Sequence, residues 1–210
     1  MARLRYNRAR ATAHLAAACP VMAGFIGHFG RLRLPVRDGD VFSSLARAIA
    51  YQQLSGKAAG TIHGRFEALF PDHRPEARAC LALDHDTLRA TGLSQAKTLS
   101  IRDLAERVAS GELPDRRRLG RMDDETVVEL LTAVRGIGPW TAQMYLIFNL
   151  GRPDVMPSTD LGVQRGVQRL YGLEGFPEPA EVDRRTQPFA PYRSAAAWYL
   201  WRASETELPA

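Results

Sequence analysis

Apolar positions recur at three- and four-residue intervals along most of this chain, which is the spacing of one helical face. Phe42, Leu45 and Ile49, with small residues between them, predict a helix over residues 41–54, and Asp40 stands where an N-cap belongs. A second helix is expected over 57–69, stopped before Pro71. Asp84 or Asp86 can open a short helix ending near Gly92, and another over 96–110 ends at Gly111 with Pro114 beyond. Asp123 caps a helix over 123–134, in which Leu130, Leu131 and Val134 supply the apolar spacing, and a further helix spans 140–150. Past Pro157, Ser158-Thr159-Asp160 leads into a helix reaching Tyr171. A loop rich in Pro and Gly then precedes a last helix over 194–203. Residues 1–40 are rich in Ala and Arg and turn irregular from Arg31 to Asp40. No alternating stretch is long enough for a strand, and there is no repeat or low-complexity segment. The expected class is all-α.

The 210 residues carry a net charge of +5, and Lys occurs only at Lys57 and Lys97, so Arg supplies nearly all the positive charge. A planar, permanently charged guanidinium suits phosphate oxygens, and a basic chain leans toward a polyanionic partner. Cys19 and Cys80 are the only cysteines, which excludes a cysteine zinc site and a four-cysteine iron–sulfur cluster. Both are expected to be buried small side chains. The histidines form no ligand pattern, so no metal site is expected. The Arg-rich N-terminus has no apolar core of a secretory signal, and no apolar run approaches the length of a membrane span. The expectation is a soluble cytoplasmic protein, nucleoid-associated, with no membrane partner.

The most informative stretch is Val134-Arg135-Gly136-Ile137-Gly138-Pro139-Trp140-Thr141-Ala142. Two glycines around one Ile, set between two helical segments, leave bare amides that can approach an anion closely. Pro139 fits the first turn of the next helix, whose N-terminus adds partial positive charge. Ile137 is suited to plug the hairpin between its helices. Together these features would grip a DNA phosphate without reading sequence. A plain helix–helix turn would use the same glycines.

With Ser158-Thr159-Asp160 downstream, the stretch resembles the helix-hairpin-helix, Gly/Pro-rich loop, Asp superfamily of base-excision DNA glycosylases. Asp160 lies 22 positions after Gly138, as in that family's pattern. Two further blocks, Arg47 to Ala59 and Pro191 to Arg202, resemble the 3-methyladenine DNA glycosylase II branch. The likeness runs from about residue 40 to 203. It implies two helical subdomains flanking a DNA-binding cleft: 41–157, with the wedge loop and a helix-hairpin-helix over about 123–150, and a lobe formed by 1–40 with 158–210. The first 40 residues are too few for the N-terminal β-domain of larger relatives, so a compact form is expected.

The resemblance places the essential carboxylate on Asp160. Breaking an N-glycosidic bond builds positive charge on the sugar, which a carboxylate stabilises while it orients the attacking water. Asp160 is also a plain N-cap candidate, as are Ser158 and Thr159. Where some relatives carry a Schiff-base Lys, this chain has Trp140, whose indole cannot form that adduct. The expected activity is therefore hydrolysis of alkylated purines of the 3-methyladenine and 7-methylguanine type, without strand cleavage. Trp140 and Trp201 align with the branch's stacking tryptophans, while Trp198 reads as core. Met144 replaces a pocket Tyr, with Tyr145 next. In the wedge block, register puts Gln53 at the inserted position with Leu54 the alternative. Lys57, Gly136, Ile137, Gly138 and Thr141 complete the expected DNA contacts. No cofactor is expected, though the resemblance implies a monovalent cation at the hairpin carbonyls. The expected partner is duplex DNA containing alkylated bases, met by a monomer. The rivals are a non-enzymatic helix-hairpin-helix DNA-binding protein, a glycosylase for oxidised bases, disfavoured by the missing Lys and cysteines, and a helical protein that binds no DNA.

Overall fold

The computed structural model describes residues 3–206, in which thirteen α-helices and no strand occur. In chain order they are α1 (Arg8–Ala18), α2 (Pro20–Phe29), α3 (Val41–Tyr51), α4 (Gly56–Glu67), α5 (Ala77–Ala82), α6 (His85–Ala90) and α7 (Gln95–Ser110). There follow α8 (Arg116–Leu119), α9 (Asp124–Thr132), α10 (Pro139–Phe148), α11 (Leu161–Leu170), α12 (Pro179–Thr186) and α13 (Arg193–Glu205). The all-α expectation holds. Short side chains set most starts: Asp40, Ser55, Asp84, Ser94, Asp123 and Asp160 each accept a backbone N–H of the first turn. Of the two carboxylates offered for α6, Asp84 is the cap. Gly111 ends α7 in the left-handed conformation.

The helices α1, α2, α5, α8 and α12 were not legible as separate elements. The helix expected over 41–54 stops at Tyr51. Gln52 leaves the helical region with ψ 133° and Gln53 is left-handed at φ 56°. Lys97 Nζ donates to the carbonyls of Ala50 (2.9 Å) and Gln52 (2.8 Å), satisfying oxygens that another turn would have used.

The chain divides into two compact units: one runs to Arg37 and resumes at Gln143, and the other is 38–142. The expected boundaries were 40/41 and 157/158. The later one lies instead within α10, because residues 153–155 are hydrogen-bonded to the start of α13. Ser194 N donates to Pro153 O (3.0 Å), and Val155 N to Ser194 Oγ (3.0 Å).

In the 38–142 unit, α7 packs against α3 and α5, and Phe42, Leu45, Ile49, Phe66 and Ile101 are buried. Burial of such side chains stabilises the fold by about 1.5–3 kcal/mol each. In the unit of the chain ends, α11 lies against α13 around Val163, Val167, Tyr199 and Leu200. Gly166 permits that approach: a Cβ there would sit 2.1 Å from Leu200 O. Cys80 is fully buried as expected, but Cys19 is only partly so. It lies at the turn between α1 and α2, with Sγ 3.5 Å from Tyr171 Oη.

Candidate functional site

Within 38–142 the hairpin closes as its sequence implies. Ile137 is 4% exposed and plugs the turn, while Gly136 and Gly138 face solvent. Gly136 has φ +75°, and a Cβ there would come within 2.6 Å of Ser100 Oγ, so the turn requires glycine. Pro139 opens α10, whose N-terminus carries partial positive charge next to the bare Gly138 backbone. Of the hairpin carbonyls suggested for a cation, Gly136 O accepts Gln52 Nε2 at 2.9 Å, and Val134 O accepts Ile137 N at 3.1 Å. Among the described residues, no three His, Cys, Asp or Glu side chains gather as a metal site.

Thr141, expected to touch DNA, is only 6% exposed; its side chain is turned into the protein. Gln53 and Leu54 both stand in solvent, Leu54 at 41% exposure, so neither is drawn into the core. A left-handed conformation at a non-glycine residue such as Gln53 costs about 1 kcal/mol, and it throws the side chain outward from the end of α3. Lys57 is exposed in the first turn of α4. Trp140, in the first turn of α10, is 44% exposed, an unusual degree for an indole that could have packed inward.

In the unit of the chain ends, Asp160 is half-buried at the N-cap of α11, and Oδ1 accepts Val163 N at 2.9 Å. The same oxygen accepts the indole N–H of Trp201 at 2.8 Å, so the carboxylate is held from α13 as well as from its own helix. Gly162 makes room for this bond, since a Cβ there would lie 2.9 Å from Trp201 Cδ1 and 3.1 Å from Asp160 Oδ1. The Trp201 ring stacks on Phe148, with centroids 5.5 Å apart and planes 23° apart. Arg37 adds its guanidinium 5.3 Å from the Phe148 ring centre.

The loop leading to Asp160 is fastened by a second carboxylate. Asp154 takes Arg193 Nε at 2.8 Å, Nη2 at 2.9 Å and the Arg193 backbone N–H at 3.1 Å. Desolvation pushes the Asp154 carboxyl up, but the Arg193 hydrogen bonds and charge outweigh it and hold the pKa below the ordinary carboxylate value. The loop is thus pinned at one end of α13 and Asp160 is held near the other. Asp154 and Arg193 carried no sequence signal as a pair, because nothing local relates positions 39 apart.

Trp201, Phe148, Trp198 and Phe29 line a pocket of about 750 Å³ together with Arg31 and Arg33. Trp198, expected in the core, is 8% exposed and forms its wall. Met144 is half-buried. Tyr145, expected at the substrate pocket, is instead 3% exposed and part of the interior, because successive residues of α10 point in different directions. Phe148, to which the sequence assigned no role, lies under Trp201 in the pocket wall, and Leu161, directly after Asp160, is 67% exposed. An exposed leucine at a helix start is a signal only once Asp160 is known to matter.

Comparison with known proteins bears on this geometry. The HhH-GPD superfamily of base excision DNA repair proteins matches residues 46–191. The chain is 39% identical over 165 residues to DNA-3-methyladenine glycosylase 1 of Schizosaccharomyces pombe, covering 78% of this chain and 72% of that one. Its fold matches the solved structure of the S. pombe 3-methyladenine DNA glycosylase in complex with abasic DNA, with a TM-score of 0.86, 34% identity, and 94% and 97% of the two chains covered. A DNA-3-methyladenine glycosidase from Bacillus halodurans matches with a TM-score of 0.86 and 36% identity, covering 93% and 89%.

Proposed function

The chain belongs to the HhH-GPD superfamily of base excision DNA repair proteins, and on that premise we propose that it is a monofunctional glycosylase removing alkylated purines from duplex DNA with Asp160 as its essential carboxylate. The observation that carries this reading is the hold on Asp160, by Val163 N and by Trp201 Nε1, in the same family register as the hairpin. A carboxylate used only as a cap needs no indole donor from another helix.

In the reaction the bond between C1′ and the base nitrogen breaks, and the base leaves with the bonding electron pair. A purine alkylated at a ring nitrogen, as in 3-methyladenine or 7-methylguanine, is already cationic in the nucleotide, so it departs as a neutral molecule without prior protonation. The sugar is left oxocarbenium-like, and the Asp160 carboxylate stabilises that charge. Water then forms the new bond to C1′, its proton passing to the carboxylate or to solvent. The exposed Gly136–Gly138 turn and the N-terminus of α10 hold a phosphate of the same duplex, and the Gln53–Leu54 turn supplies the side chain that fills the stack. Trp201, stacked on Phe148, offers an electron-rich face for a cationic base.

Trp140 stands where a lyase would need an amine, so strand scission is not part of the activity. Incubation with alkylated duplex is expected to leave strands intact until alkali is added, and borohydride to trap no protein–DNA adduct. An adduct, or scission without alkali, would contradict the hydrolytic reading. Trp201→Phe keeps a ring over Phe148 but deletes the donor to Asp160. A hydrogen bond to a charged group contributes about 1.5–3 kcal/mol, so single-turnover excision should slow by roughly 10- to 100-fold. An unchanged rate would show that the indole N–H does not support the carboxylate.

A further inference from the structure

One face of α7 touches both of the turns to which DNA contact is assigned. Lys97, Ser100 and Asp103 recur every three residues, so they stand in a row along the helix. Lys97 Nζ donates to Ala50 O at 2.9 Å and to Gln52 O at 2.8 Å, at the base of the left-handed Gln53. Ser100 is buried under Gly136, whose missing Cβ would fall 2.6 Å from its hydroxyl oxygen. Asp103 Oδ2 accepts the backbone N–H of Arg135 at 2.7 Å. A fourth bond joins the two turns directly, Gln52 Nε2 to Gly136 O at 2.9 Å.

Lys97 is the member of this row that acts on the wedge turn. An ammonium on two backbone carbonyls is an unusual use of a lysine, because partial desolvation disfavours its charge and lowers its pKa. The two oxygens are the ones released when α3 stops early, and Gln53 adopts its strained conformation immediately after them. Without the ammonium, α3 can continue for another turn and Gln53 can relax to right-handed backbone.

We infer that Lys97 is a positioning residue for base extrusion: by clamping the last carbonyls of α3 it fixes the left-handed Gln53 and so aims the side chain that enters the duplex. This rests on the proposed function, in which the Gln53–Leu54 turn is the wedge. Hairpin contacts with phosphate should survive its loss, because Asp103 holds that turn independently through the Arg135 backbone N–H.

The test uses a duplex with 2-aminopurine next to a stable abasic-site analogue, where entry of the wedge unstacks the probe and raises its fluorescence. Affinity for the same duplex is read by anisotropy, well below the melting midpoint of every variant. Lys97→Met is expected to lose most of the rise at saturating protein, to keep affinity within about threefold, and to slow single-turnover excision about tenfold. Lys97→Arg, which keeps a cationic donor within reach of both oxygens, should restore most of the signal. A Met variant with the full rise overturns the inference, and so does a loss that Arg does not restore. A wild-type protein that gives no rise removes the wedge reading itself, and this inference with it.

Discussion

Asp160→Asn should fold, bind duplex DNA with unchanged affinity, and excise bases on the order of a thousandfold more slowly. The fold survives because Asn caps helices about as well as Asp. Its Oδ1 can accept Val163 N and Trp201 Nε1 as the carboxylate does at 2.9 and 2.8 Å. What the substitution removes is the negative charge. The transition state carries positive charge on the sugar, and a neutral amide stabilises it far less than a carboxylate does. Duplex affinity is assigned to the Gly136–Gly138 turn and the start of α10, which the substitution leaves alone. The discriminating measurement is single-turnover excision beside anisotropy on the same duplex. A variant that turns over near the wild-type rate would remove Asp160 from the chemistry. One that no longer binds would mean that its role is in DNA contact.

Gly166→Ala is expected to lower the melting temperature by about 4–8 °C or more, a large loss for one added methyl group. The new Cβ would lie 2.1 Å from Leu200 O, 2.6 Å from its carbonyl carbon and 2.9 Å from its Cα, all of them backbone that cannot rotate aside. The helices α11 and α13 must separate or bend, at a cost of about 3 kcal/mol or more, against which the better helix propensity of Ala returns only about 1 kcal/mol. Gly64, inside α4, provides the opposite sign. A Cβ there meets nothing within 4 Å, so Gly64→Ala should raise stability by up to about 1 kcal/mol. The consequence reaches the site as well, since Asp160 caps α11 and Trp201 sits on α13. Parting the two helices lengthens the bond between them, and the Gly166→Ala variant should be slow even at temperatures where it is folded. Thermal melting of the two glycine variants side by side checks the contrast; equal melting temperatures would show that α11 and α13 are not packed at backbone distance.

Local signals carried much of the fold. Asp40, Asp123 and Asp160 announced their helices because capping is a matter of residues three positions apart. Gly136, Ile137 and Gly138 announced the hairpin because the steric demands of a turn are written in its own residues. Helices α5, α8 and α12 were missed, since four to eight residues hold too few apolar positions to show a period. The early end of α3 was missed because its cause, Lys97, lies 45 positions beyond Gln52. The site divided in the same way. Asp160 and Trp140 were proposed from family register, which relates residues along the chain. The bond from Trp201 to Asp160 crosses 41 positions, and it depends on Gly162 having no side chain. Tyr145 and Thr141, both expected at the site, are buried instead: a helix turns about 100° per residue, so neighbours along α10 face different directions, which the sequence alone does not resolve.

The measurement closest to the centre of this account is mass-spectrometric identification of the small molecules freed from a duplex holding 7-methylguanine, with wild-type protein and Asp160→Asn in parallel. The account predicts intact neutral 7-methylguanine from the wild type, in amount equal to the abasic sites formed, and almost none from the variant. Tight binding of the wild type to that duplex and to duplexes with 3-methyladenine, hypoxanthine and ethenoadenine, with no free base released from any of them, would contradict it.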